Sequence, residues 1–215
     1  MVLSSTVSYL ITMDSADNIA NEHRSRLLQG LAQVVAEKGF ADATIADIVR
    51  EAGVSRRTFY EHFAGKPQAL IALFEAASRN ALQVLREAID PGRDWQAQVE
   101  QAMTAYLGCL AQNPVLLRTL FVDILGLGAP GLAARRRVNT EIARFMASVI
   151  NACQSTPMLD DDMAMALVGG IHELVLQAIE QERLVAALPE LASLTGRLVR
   201  AVVHAEDSQR SLDQT

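Results

Sequence analysis

An all-α fold of about nine helices is predicted by three observations. Half of the 215 residues are apolar while aromatics make up only 5%, so the apolar half is mostly Ala, Leu, Val and Ile. Ala and Leu favour helix, and 12 Gly with 6 Pro are few for a fold built from many hairpins. No strand-length run alternates with period two, whereas apolar residues recur at helical spacing throughout. The length suits one or two compact domains, and 50% apolar with 20% charged residues excludes a largely disordered chain.

Residues 22–40 place Leu27, Leu28, Leu31, Ala32, Val34, Val35 and Phe40 on one helical face. Gly39 supplies the helix-ending residue, and Phe40 folds back as the apolar contact after the cap. Thr44 is the N-cap of a short helix over 45–52, with Asp47 three residues on in a near capping-box pattern. Gly53, suited to the left-handed conformation, ends it. Val54 plugs the turn, and Ser55 caps a third helix reaching about Phe63. Gly65 caps a fourth, with Pro67 in its first turn where a missing N–H costs nothing. That helix continues through Leu70, Leu73, Phe74, Ala77, Ala81, Leu82 and Leu85 to the Asp90-Pro91-Gly92 break. Further helices are predicted over 94–111, 115–125, 132–154, 160–182 and 190–205, with a loop at 126–131. The domain limits follow: a flexible extension at 1–17, a helix-turn-helix domain at 18–66, a second helical domain at 67–206 and a frayed tail at 207–215.

Two short helices joined by Gly53-Val54-Ser55 form a helix-turn-helix, whose second helix fits a DNA major groove. Ser55 offers a hydroxyl and free backbone N–H groups at a helix N-terminus, suited to a phosphate. Arg56 and Arg57 lie on the first turn, where side chains reach base edges and Arg bonds guanine bidentately. Thr58, Tyr60, His62 and Lys66 place donors along the flanks for phosphates on both sides of the groove. Phe59 and Phe63, four apart, face inward and anchor the helix.

The segment TIADIVREAGVSRRTFYEHFAGK over 44–66 carries a more specific pattern. Thr44, Gly53-Val54-Ser55, Thr58-Phe59-Tyr60, His62-Phe63 and Lys66, following a first helix that ends in Gly39-Phe40, resemble the TetR family of transcriptional repressors. The resemblance covers residues 22–75, about a quarter of the chain. It implies a three-helix DNA-binding domain joined to an all-helical ligand-binding and dimerisation domain. It also implies that Thr44, Ser55, Thr58, Tyr60, His62 and Lys66 contact phosphate or groove, and that Arg56 and Arg57 read bases. Val49 departs from the pattern, which usually has a small Ala there.

The second domain gives broader signals. Residues 160–182 are apolar on two sides, and such a helix must be covered twice. A second subunit is the simplest cover, with Gly169-Gly170 allowing close approach and the amphipathic 190–205 helix as its companion. The predicted homodimer face comprises Leu167, Gly170, Ile171, Leu174, Ala178, Leu194, Leu198 and Val202, arranged as the intersubunit four-helix bundle the family implies. A pocket for a small-molecule effector is expected near Trp95, Met103, Tyr106, Phe121, Phe145, Met146 and His172. Their soft apolar surface with few polar handles suggests a lipophilic ligand.

The net charge of −6 argues against coating nucleic acid by bulk charge. Residues 18–66 nevertheless hold seven Lys/Arg against six Asp/Glu, and the acidic surplus lies elsewhere. Two cysteines, Cys109 and Cys153, are too few for a disulfide framework and read as packing residues. No Lys or Arg precedes Arg24, so residues 2–13 are expected to lack the basic start of a signal peptide. No run of 18 uninterrupted apolar residues suggests a membrane span, and a cytoplasmic location is expected. Asp160-Asp161-Asp162 lacks the spacing and Gly of a calcium loop and reads as an N-cap. His172-Glu173 lacks the second His of a zinc-protease motif, since Leu176 stands there. No catalytic set, metal site or cofactor is expected, and the chain does not read as an enzyme. The expected function is a ligand-responsive repressor that binds a palindromic double-stranded DNA operator as a homodimer. The alternative is a helical carrier of small molecules whose helix-turn-helix is only structural.

Overall fold

The computed structural model describes residues 19–90, 92–152 and 159–213. The 1–17 extension, Cys153 and the last two residues of the 207–215 tail lie outside them. Among the described residues there is no strand, and nine helical rods follow one another. They are α1 (Ile19–Asp42), α2 (Ile45–Ala52), α3 (Arg56–His62), α4 (Lys66–Ala88), α5 (Trp95–Ala111), α6, α7 (Ala129–Ala152), α8 (Asp161–Glu180) and α9 (Leu184–Asp213). The rod α6 has three pieces: Pro114–Arg118, a π-helical turn Thr119–Asp123, and Ile124–Gly126. Its backbone stays helical across both joints, so it is one element, as the sequence suggested.

Three boundaries differ from expectation, each for a physical reason. The loop expected at 126–131 shrinks to Leu127 and Gly128, because Gly128 at φ 67° turns the chain and α7 starts at once. The last helix begins at Leu184 rather than after Pro189. Pro189 is near the helix start, where it forfeits a single hydrogen bond, and Leu184, Ala187 and Leu191 are all buried. At its far end α9 runs on to Asp213, through most of the segment expected to fray.

Packing groups the chain into two compact units, dividing it elsewhere than the 66/67 limit suggested by motif order. The first runs to Ala81 and includes Gln112–Arg135; the second comprises Leu82–Ala111 and the chain from Arg136 onward. In the first, Leu27, Leu31, Ile48, Phe59, Leu70 and Leu73 are fully buried. Gly30 lets α1 approach α2: a Cβ there would lie 2.9 Å from the Ile48 carbonyl oxygen. Gly131 is tighter, since its Cβ would fall 1.9 Å from the Ile124 oxygen, where α7 abuts the end of α6.

In the second unit α5 lies along α9, joined by an ion pair between Glu100 and Arg200. Asp160 caps α8 by accepting from the Met163 N–H at 2.7 Å, as expected. The helix α8 is long and apolar enough to cross a membrane by length and composition, with a mean hydropathy of 1.3 over its best window. Its apolar residues have another use: Leu167, Val168, Ile171, Val175 and Ala178 are buried within the protein, as is His172.

Gly131→Ala must push its methyl into a backbone carbonyl that no rotamer change can move. We expect a loss of about 3 kcal/mol or more, at the upper end of overpacking costs, measured as a lower urea midpoint. An unchanged midpoint would show that the α6–α7 junction is looser than described.

Candidate nucleic-acid interface

The turn between α2 and α3 is built from the residues the sequence singled out. Thr44 caps α2, accepting from the Asp47 N–H at 3.2 Å, while the Asp47 carboxylate accepts from the Thr44 N–H at 3.1 Å and its hydroxyl at 2.6 Å. Lys38 and Arg50 also donate to Asp47. The Lys38 bond, followed by those from Thr44, holds the Asp47 carboxyl far below the usual carboxylate range. Gly53 adopts φ 60°, ψ 39°, a conformation that costs other residues about 1–2 kcal/mol. Its carbonyl accepts from Arg26 Nη2 at 2.8 Å. Arg26, 27 positions away, is a site residue that no local pattern in the sequence announces.

Ser55 then caps α3, its Oγ accepting from the Thr58 N–H at 3.0 Å and sharing a hydrogen bond with the Thr58 hydroxyl at 2.9 Å. Phe59 is fully buried and Phe63 nearly so, which fixes the opposite side of α3 outward. Arg57 lies on that outer side, while Arg56, at the helix start, and Tyr60 are also exposed, Tyr60 to 58% despite its size. Arg56 has no side-chain partner among the described residues. Arg57 donates to Glu61 at 3.0 Å, but its side chain is 90% exposed, and such surface pairs are worth at most about 1 kcal/mol. His62 is half-buried beside Phe63; burial, then the positive neighbours His23 and Arg24, push its pKa down.

Lys66 departs from its predicted role as a phosphate contact. Its ammonium donates to the carbonyls of Phe40 at 2.7 Å, Ala41 at 3.2 Å and Ala43 at 2.9 Å, and lies 4.5 Å from the centre of the Phe40 ring. All three N–H bonds are thus spent on the chain that leaves α1 past Gly39, at φ 78°. An ammonium has no donor beyond three. Lys66 therefore positions the start of α4 against the end of α1.

A family model described as bacterial regulatory proteins of the tetR family matches residues 27–73, the span that contains this turn. Residues 27–73 thus form a segment similar to the DNA-binding segment of that family. Over 108 residues it is 30% identical to the nucleoid occlusion factor SlmA of Marinomonas sp. (strain MWYL1), a match spanning 50% of this chain and 55% of that protein. The chain thus covers about half the length of that relative. Its fold is similar to that of the fatty acid degradation regulator FadR from Bacillus halodurans, with a TM-score of 0.68 at 17% identity over 85% of this chain and 97% of the other. It is also similar to FadR from Bacillus subtilis, solved in complex with stearoyl-CoA, with a TM-score of 0.61 at 19% identity over 79% and 96% of the two chains.

In the second unit, the residues expected to line a pocket separate into groups. Met103, Phe145 and Met146 line one crevice with Leu85, Ile89 and Val199, among other aliphatic side chains. Its free space, mouth included, is about 410 Å³, and no polar atom faces it. Tyr106 and His172 instead form a buried pair, Oη to Nε2 at 3.1 Å, away from that lining. Burial, with Cys109 nearby, pushes the Tyr106 pKa up, and burial does the same for the Cys109 thiol. Phe121 belongs to the π-helical turn in the first unit, not to the crevice. Trp95 starts α5, and its side chain lies outside those described.

The predicted dimer face also divides. Leu167, Ile171 and Ala178 are buried within the single chain, so these three are core residues. Gly170, Leu174, Leu198 and Val202 remain partly exposed and Leu194 more so, leaving a narrower strip than expected. Gly170 faces Leu198, whose methyl would lie 3.6 Å from an added Cβ.

Lys66→Met removes three charge-assisted hydrogen bonds and strands carbonyls at a helix end. We expect a stability loss of about 2–3 kcal/mol by urea denaturation. A Lys66 that served DNA alone would leave the midpoint where it was.

Proposed function

We propose that the chain is a homodimeric transcriptional repressor of the cytoplasm that binds a palindromic operator and is released by a small lipophilic molecule. The observation that carries the DNA reading is α3 itself, where Arg56, Arg57 and Tyr60 stand exposed while Phe59 and Phe63 are buried. A helix so anchored presents its first turn to base edges, and Arg56 and Arg57 act there as the base readers. Thr44, Ser55, Thr58, Tyr60 and His62 serve phosphates on either side.

Two heads are needed because the local charge surplus is small: residues 18–66 exceed balance by one positive charge. A homodimer through the exposed strip of α8 and α9 supplies the second head, and half-sites about 34–36 Å apart match successive major grooves. The apolar lining of the crevice supports a lipophilic effector. The fold-similar FadR solved with stearoyl-CoA supports it as well, though that ligand is the relative's. The helix α4 offers the route for release, since it begins at Lys66 and ends at the crevice with Leu85.

The test is selection of genomic fragments bound by the full chain, followed by Arg56→Ala and Arg57→Ala on the enriched fragment. Each substitution should weaken specific binding about 10- to 100-fold, from ~1–3 kcal/mol per base-reading pair. No enrichment, or variants that bind as well as the wild type, would overturn this assignment.

A further inference from the structure

The crevice in the second unit is apolar throughout, yet a cation stands at its lip. Arg86 follows Leu85, which lines the crevice, and its guanidinium carbon lies 5.6 Å from the centre of the Phe145 ring, which lines it too. Arg86 is exposed. The acidic side chains nearest it in sequence are engaged elsewhere: Asp90 pairs with Arg93 at 3.5 Å, and Glu87 accepts from Gln83 at 2.8 Å. Among the described residues no carboxylate pairs with Arg86, and a guanidinium stacked on an aromatic face keeps its in-plane N–H donors free.

We propose that the crevice takes a single-chain amphiphile with an anionic head, the tail among Met103, Ile142, Phe145 and Met146 and the head on the Arg86 guanidinium. The inference rests on the reading of the crevice as the effector site and adds the chemistry of the head. Three features fix the ligand class. A lining without polar atoms has no place for a head group inside. The enclosed volume is only about 40 Å³, far below the ~300–1,000 Å³ of preformed ligand pockets, so a slender chain can enter by displacing the flexible Met103 and Met146 where a fused-ring system with two tails cannot. The unpaired fork of donors at the lip matches a carboxylate bidentately. Arg86 binds and selects; it has no chemical step to perform.

The experiment compares dodecanoate with dodecanol, equal tails differing in head charge, titrated calorimetrically below their aggregation limits into the intact chain. The proposal expects dodecanoate to bind on the order of tenfold more tightly than dodecanol. Arg86→Gln should erase that difference by weakening dodecanoate alone, and Arg86→Lys should keep part of it. Met146→Trp, checked for an unchanged melting profile, should weaken both ligands by filling the crevice. If both ligands bind equally and Arg86→Gln changes neither, the head-group inference falls while the effector site stands. If neither ligand binds, or Met146→Trp leaves both unaffected, the crevice is not the effector site and the proposal falls with it.

Discussion

The left-handed turn at Gly53 is the constraint on which the rest of the reading surface depends. At φ 60° and ψ 39° it sets the direction in which α3 leaves α2, and the Arg26 guanidinium holds its carbonyl from across the unit. Each helix end around it is closed by a side chain: Thr44 with Asp47 before α2, Ser55 before α3, and Lys66 over the end of α1. Exposed helices of seven and eight residues are too short to persist alone. Caps and the buried Phe59 and Ile48 hold them, and Arg56, Arg57 and Tyr60 remain exposed.

Most of the head was legible because its signals are local. Capping residues act within three positions, glycine turns act at one, and the four-residue spacing of Phe59 and Phe63 declares a buried face. What escaped the sequence acts over long separations. Arg26 reaches Gly53 through folding, and Lys66 looked like a free cation until three carbonyls surrounded it. The same difference explains the domain limit. Motif order ends the head at Lys66, but packing draws Gln112–Arg135 into the first unit, and periodicity carries no information about which helices become neighbours.

The second unit shows where residue type alone misleads. Met, Phe, Tyr and His at helical spacing are equivalent as sequence, but packing divides them into an apolar crevice and a hydrogen-bonded buried pair. The apolar residues of α8 expected to face a partner divide, because the chain's own core covers several of them. Leu167, Ile171 and Ala178 turn inward, while Gly170, Leu174, Leu194, Leu198 and Val202 stay partly or fully exposed. The acidic total charge likewise averages two unlike parts. Residues 18–66 exceed balance by one positive charge, and the acidic surplus lies in the rest of the chain.

The exposed side of α3 is expected to meet DNA phosphates. The most direct measurement is the salt dependence of the intact chain's affinity for its selected DNA fragment. Counterion release predicts that log K falls linearly with log salt, by about 0.9 per phosphate neutralised. Contacts from the first turn of α3 and its flanks on two heads should give a slope steeper than about −4, and the slope should shrink when exposed donors of α3 are removed. A slope near zero, or one that those substitutions leave untouched, would contradict the account and make the helix-turn-helix a structural element of a small-molecule carrier.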